Sequence, residues 1–244
     1  MTSEPFVPAL AERHLQLAGT RNLRDVGGYP AGDGRRTRWR TLLRTDALDQ
    51  LPAASQEALI ALGLRHVIDL RWDHEVEARP SVFSRSDRVR YRSLPLIRDQ
   101  FLEAGVTATY LHMLDDRGPV LASVARGLLE PEGLPAVIGC AGGIDRTGVT
   151  VALLLSVVGV PPEVAAADYA LSAESYALDG TAGGLADWRA GPVMIDARPE
   201  YMLEALNHLE RRHGGAAALL RREGIGDPEL DRLRDLLTEP VSGG

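Results

Sequence analysis

The 244-residue chain contains no lysine, because all 27 of its basic residues are arginine. An anion held by a side chain here is therefore held by Arg or His. Cysteine is nearly absent: Cys140 stands alone, which excludes an intramolecular disulfide and a multi-cysteine zinc site. Long apolar runs are missing as well. The longest mostly apolar stretch, Gly148 to Val160, falls short of the ~18 residues that a bilayer span requires. The N-terminal MTSEPFVPALAERH has neither a basic start nor an apolar stretch, so it does not read as a secretory signal, and the expected location is cytoplasmic. Positive charge is in deficit, with a net charge of -7. An acidic chain gains nothing from a polyanionic partner, so neither nucleic acid nor membrane insertion is expected.

What is present is an ordinary globular composition, 45% apolar and 25% charged, with enough apolar material for a core. No internal repeat or low-complexity linker divides the chain, so a single domain over 1–244 is expected. Residues 22–44 read as short strands around the turn-rich PAGDGRR. Residues 53–62 carry helical spacing and stop at Gly63. RHVIDL, residues 65–70, is a short buried strand, and residues 90–96 alternate like another. Residues 105–129 look helical in pieces. LPAVI, residues 134–138, is an apolar run of strand length. An apolar helix follows over 149–158, and 163–170 continue as helix. Met202, Leu206 and Leu209 share a face of a helix that Gly214 ends. Asp227 reads as an N-cap with Pro228 at the first helical position, and Leu230 stands where a capping-box acid would be. Strands alternating with helices give an α/β fold, a central mainly parallel sheet flanked by helices. The irregular, aromatic-bearing stretch 171–195 reads as a lid insertion.

Chemistry concentrates between the strand at 134–138 and the helix that follows it. The stretch is Cys140-Ala141-Gly142-Gly143-Ile144-Asp145-Arg146-Thr147-Gly148. A loop of this length between strand and helix can curl so that successive N–H groups face one tetrahedral oxyanion, with the helix N-terminus behind them. Gly142 and Gly143 allow the close approach and the unusual φ values this needs. The same field stabilises a thiolate at Cys140. Arg146 can hold two phosphate oxygens in a fork. A thiolate so placed attacks phosphorus in line, and water hydrolyses the phosphocysteine formed. This chemistry asks for no metal and no other cofactor. On the bland reading, Asp145 caps the helix, Asp69 pairs with Arg71 or Arg44, and Arg24 pairs with Asp25. His66 is then a core histidine, and His208 and His213 lie on a polar helical face.

Cys-x5-Arg followed by Thr resembles the phosphate loop of the protein tyrosine phosphatases. Asp before the Arg resembles their bacterial dual- and triple-specificity branch. NLRDVGGY at 22–29, LRTD at 43–46, IDLR at 68–71 with Glu75, ADY at 167–169 and PEYM at 199–202 are similar to further blocks of that branch. The resemblance implies a tyrosine-phosphatase-like fold and a phosphatase acting on phosphorylated protein or a small-molecule phosphate. It implies Cys140 as nucleophile, Arg146 as phosphate clamp and Asp145 as general acid. Ala141, Gly142, Gly143 and Ile144 would bind the phosphate, and Thr147 would donate its hydroxyl to the sulfur as phosphate leaves. Asp99 lies near a further active-site aspartate of the branch. Two residues depart from the pattern. Gly139 stands where the family has His before the Cys. Ile144 stands where the branch has Lys in the loop, and an apolar side chain at the rim cannot hold a second phosphate. These departures leave two alternatives open: a sugar or nucleoside phosphate phosphatase, and a phosphate-binding pseudophosphatase.

Overall fold

The computed structural model describes residues 9–97, 105–178 and 196–241. Its strands are β1 (Arg24–Asp25), β2 (Pro30–Ala31), β3 (Arg35–Thr37), β4 (Leu42–Thr45), β5 (His66–Asp69), β6 (Arg90–Ser93), β7 (Ala136–Gly139) and β8 (Thr238–Pro240). The helices are α1 (Leu10–Arg13), α2 (Ala53–Ala61), α3 (Asp73–Ala78), α4 (Val106–Asp116), α5 (Gly118–Leu129), α6 (Asp145–Val157), α7 (Pro162–Leu178), α8 (Pro199–His213), α9 (Ala216–Arg222) and α10 (Asp227–Leu237). The main sheet runs β1-β4-β7-β5-β6. It is parallel except for β1, which pairs antiparallel with β4. A smaller sheet, β2-β3-β8, joins the early hairpin to the end of the described chain.

Alternation along the central strands builds two cores. Leu42, Ala136, Ile138 and Ile68 face one side, where α5, α6, α7 and α8 pack. Leu43, Val137 and Val67 face the other, against Leu59 of α2, Phe83 and Val89. Every residue of β4, β5 and β7 is buried, as expected of parallel strands covered on both faces. Thr45, Gly139 and Asp69 are register partners at the carboxyl ends of these strands. β7 lies between β4 and β5, so the loop after β7 emerges at the middle of the sheet's carboxyl edge. In open α/β sheets that is where a ligand crevice forms.

Three local expectations need correction. α6 begins at Asp145 and not at Val149, because its first turn is polar and invisible to an apolar pattern. α7 continues to Leu178, so residues 171–178 of the expected lid are regular helix; residues 179–195 lie outside the described residues. The last long helix is capped by Gly226, whose amide donates to the Glu229 carboxylate at 2.8 Å. Asp227 is thus its first helical residue, and the expected cap was one position late. Among the described residues, no helix is long and apolar enough to cross a membrane.

Candidate active site

The loop between β7 and α6 is shaped from outside by donors to its carbonyls. Gly139 O accepts from Leu70 N at 2.8 Å and Ala141 O from Ala47 N at 3.1 Å. Gly142 O accepts from Asn22 Nδ2 at 2.9 Å and from the Tyr176 hydroxyl at 2.8 Å. Gly143 O accepts from Asn22 Nδ2 at 3.1 Å and Arg44 Nη2 at 2.8 Å. In a trans peptide the carbonyl and the next N–H point in opposite directions. Carbonyls of 141, 142 and 143 turned outward therefore turn the amides of 142, 143 and 144 inward. Among the described residues, no backbone carbonyl outside the helices and strands accepts from amides 141–146. Those of the first α6 turn lack intrahelical partners by position. The loop is thus a concave ring of donors at a helix N-terminus, fit for an oxyanion.

Gly143 makes this curl possible. Its φ is 66°, and a Cβ there would lie 2.4 Å from Thr45 O. At Gly139 a Cβ would lie 2.8 Å from Thr45 Cγ2. The neighbouring strand thus crowds the position where the family carries His.

Cys140 directly follows β7 beneath this ring and is 3% exposed. Arg146, in the first turn of α6, reaches Glu75 Oε2 through Nη1 at 2.6 Å. Its guanidinium lies 5.2 Å from the Trp72 ring centroid. Burial works against its charge, but Cys140, Glu75 and Asp145 outweigh burial and hold the guanidinium pKa above its ordinary value. Glu75 also accepts from Trp72 N at 2.9 Å, so the acid that orients Arg146 is itself fixed at the start of α3. Asp145 is exposed, and Ile144 occupies the N-cap position without a side-chain cap bond. Asp145 is therefore not the cap. Its Oδ1 accepts from the Tyr110 hydroxyl at 2.6 Å. Ile144, expected at the rim, is 9% exposed and belongs to the main core. Thr147 is fully buried, and its Oγ1 has no hydrogen-bond partner among the described residues. The bond to sulfur expected of it belongs to the step in which phosphate leaves. Asp99 lies outside the described residues.

A buried polar network supports the loop. Asp168 on α7 lies between Arg24 Nε at 3.4 Å and Arg44 Nη1 at 2.5 Å, and accepts from the Tyr29 hydroxyl at 2.7 Å. Burial alone would raise the Asp168 pKa; Arg44 and Arg24 overcome this and hold it at about 2. Arg24 also contacts Asn22 Oδ1, orienting the amide that grips the loop. The expected Arg24–Asp25 pair does not form, because successive strand residues point to opposite faces. Asp25 instead accepts from the amides of Gly27 and Arg40, each at 2.8 Å. Asp69 does pair with Arg71, at 2.7 Å. Asn22, Arg44 and Asp168 lay inside blocks that carry the family resemblance, but only the fold brings them together. Tyr169 likewise lay in the block at 167–169, whereas Tyr110 had no sequence signal.

Asp115, His208 and His213 gather three atoms of metal-ligand type within 4.8 Å. Both histidine Nε2 atoms meet Asp115 Oδ1, at 2.8 and 2.6 Å. Arg222 Nη2 faces His213 Nδ1. A guanidinium can only donate, so Nδ1 accepts and the ring proton sits on Nε2. That nitrogen is then a donor to Asp115, not a lone pair presented to a cation.

A family model described as the tyrosine phosphatase family matches residues 15–239. A tyrosine-protein phosphatase of Nostoc commune is 28% identical over 214 residues, covering 79% of this chain and 72% of the relative. The triple specificity protein phosphatase PtpB of Mycobacterium tuberculosis is 25% identical, covering 91% of this chain and 98% of its own. A crystal structure of P. aeruginosa TpbA in complex with pTyr matches 56% of this chain and 71% of its own, with 23% identity and a TM-score of 0.35.

Proposed function

The chain belongs to the tyrosine phosphatase family and is a cysteine-dependent phosphatase, and from that premise we propose the roles of its residues and the class of its substrate. Cys140 sulfur attacks the phosphorus of a monoester, forming the S–P bond as the P–O bond to the leaving group breaks. Asp145 gives its proton to the departing oxygen. The inward amides of 142 to 144, those of the first α6 turn and the Arg146 guanidinium hold the three non-bridging oxygens as charge redistributes. Water, deprotonated by the Asp145 carboxylate, then displaces sulfur and releases inorganic phosphate. Thr147, whose buried hydroxyl has no partner among the described residues, is the group at hand to bond the sulfur as it leaves.

The observation that carries this reading is the set of outward-held carbonyls at 141, 142 and 143 above the only cysteine of the chain. The substrate we propose is a singly phosphorylated ester of the phosphotyrosine class. The names of the relatives support the tyrosine part. Ile144, buried where a lysine would reach a second phosphate, supports the single charge and keeps small metabolite phosphates as the second reading. One domain over 1–244 belongs to the same proposal, supported by β8 pairing with β3.

Hydrolysis of p-nitrophenyl phosphate by the full chain tests the chemistry. Turnover should be blocked by vanadate and lost by at least ~10³-fold in Cys140→Ser, which removes the nucleophile. Phosphate binding without turnover in the unaltered protein would instead identify a pseudophosphatase. A panel of phosphopeptides, inositides, sugar phosphates and nucleotides ranks the substrates. Preference for a multiply phosphorylated inositide would overturn the argument from Ile144.

A further inference from the structure

Behind Asp145 stands a pair of buried tyrosines that the chemistry above does not use. The Tyr110 hydroxyl lies 2.6 Å from Asp145 Oδ1 and 2.7 Å from the Tyr169 hydroxyl. The two rings meet edge to face, with centroids 5.9 Å apart and planes at 86°. Tyr110 comes from α4 and Tyr169 from α7, while Asp145 opens α6, so three helices converge on one line of oxygens. Both tyrosines are fully buried, whereas Asp145 is exposed.

The direction of the chain follows from proton counting. Burial first, and then the Asp145 charge, push the Tyr110 pKa far above that of an ordinary phenol. Burial likewise raises that of Tyr169. Both therefore keep their protons at any working pH. A carboxylate can only accept, so Tyr110 donates to Asp145. Tyr110 has a single proton, already committed, so Tyr169 must donate to the Tyr110 oxygen. Each bond polarises the next. Oδ1 is thus occupied as an acceptor, and Oδ2 is the oxygen left to carry a proton.

We propose that Tyr110, held in turn by Tyr169, is a positioning residue that fixes the Asp145 carboxyl so that its proton resides on Oδ2 for delivery to the leaving oxygen. The proposal rests on the reading of Asp145 as general acid. Without the Tyr110 hydroxyl the carboxyl can rotate, and either oxygen can carry the proton. Part of the Asp145 population is then misdirected, while the nucleophile and the amide ring are untouched.

The dependence on the leaving group isolates this role. p-Nitrophenolate departs without help, whereas phenolate needs a proton, and kcat/KM reports the step in which that bond breaks. Tyr110→Phe keeps the ring and deletes the donor. It should lower kcat/KM for phenyl phosphate by roughly tenfold, and for p-nitrophenyl phosphate by less than about twofold. Tyr169→Phe should act in the same sense and more weakly. In an Asp145→Asn background, which should itself lower phenyl phosphate turnover by about 10²-fold, Tyr110→Phe should add less than about twofold. Equal losses on both esters, or a full loss persisting in the Asp145→Asn background, would mean that Tyr110 is merely structural and would overturn the proposal. No loss on either ester would overturn it as well. An Asp145→Asn variant without leaving-group dependence would refute the general-acid reading itself, a separate failure. Thermal melts of each variant establish that a loss of activity is not a loss of fold.

Discussion

Two adjacent glycines illustrate how unequal neighbouring positions can be. Gly143 has φ of 66° and faces Thr45 O, so a methyl group there meets both backbone strain and a 2.4 Å contact. Gly142 has no positive φ, and its nearest neighbour for an added Cβ is Ile144 Cδ1 at 3.5 Å, an ordinary contact. Gly143→Ala should destabilise the fold by about 1–3 kcal/mol and abolish most turnover, since the curl of the loop depends on it. Gly142→Ala should leave both within experimental scatter of the parent. Melting curves and p-nitrophenyl phosphate kinetics on the pair check this; equal behaviour would show that the loop relaxes around Gly143. The glycine pair was legible in the sequence as a phosphate-loop feature. Which of the two is indispensable was not, because that depends on Thr45, far away in the chain and adjacent only through strand register.

At the scale of elements, β1, β4 and α7 are held together by a carboxylate between two buried guanidiniums. Arg24 and Arg44 are fully buried and Asp168 is 1% exposed. Removing one partner of such a group leaves uncompensated charge in the interior, which costs about 3–5 kcal/mol. Asp168→Asn should therefore lower stability by that order in urea denaturation. It should also weaken turnover at a site it does not touch, because Arg44 and, through Arg24, Asn22 hold the loop carbonyls. A loss of stability with kinetics unchanged would separate the network from the loop. The elements themselves were largely readable from the sequence. Buried apolar runs marked β5 and β7, and three-to-four spacing marked α2 and α8. The small sheet was harder to read, since β8 is a three-residue Thr-Glu-Pro segment whose pairing with β3 comes from tertiary contact alone. The end of α7 was misjudged because the glycines after residue 179 dominate the local composition, although Leu171, Ser172, Ser175 and Tyr176 are buried along one helix. The Arg24–Asp168 pair was out of reach for a further reason: proximity in sequence suggested Asp25, and strand geometry forbids it.

For the molecule as a whole, His66 sets a limit on acid tolerance. It is fully buried, and burial together with Arg92 and Arg90 lowers its pKa to about 4 from an ordinary 6.5. The unfolded chain therefore binds a proton that the folded chain refuses. Stability from this group is complete above pH 6.5 and is lost as pH falls toward 4, by up to about 3 kcal/mol. Asp46 opposes it: burial raises its pKa to about 6, against bonds from Asn22 and Arg21 amides, so its protonation favours the fold as pH drops. The comparison must therefore be made against His66→Gln. Between pH 7.5 and 5 the parent should lose melting temperature relative to that variant; parallel curves would show that His66 titrates normally.

The tethers of the loop carbonyls come from five separate places: the segment leading into β1, strand β4, the turn after it, the residue following β5, and α7. Such a cradle cannot soften piecemeal. Whatever moves in turnover, the surface that receives the anion is held in shape in advance, so capture of phosphate carries little ordering penalty.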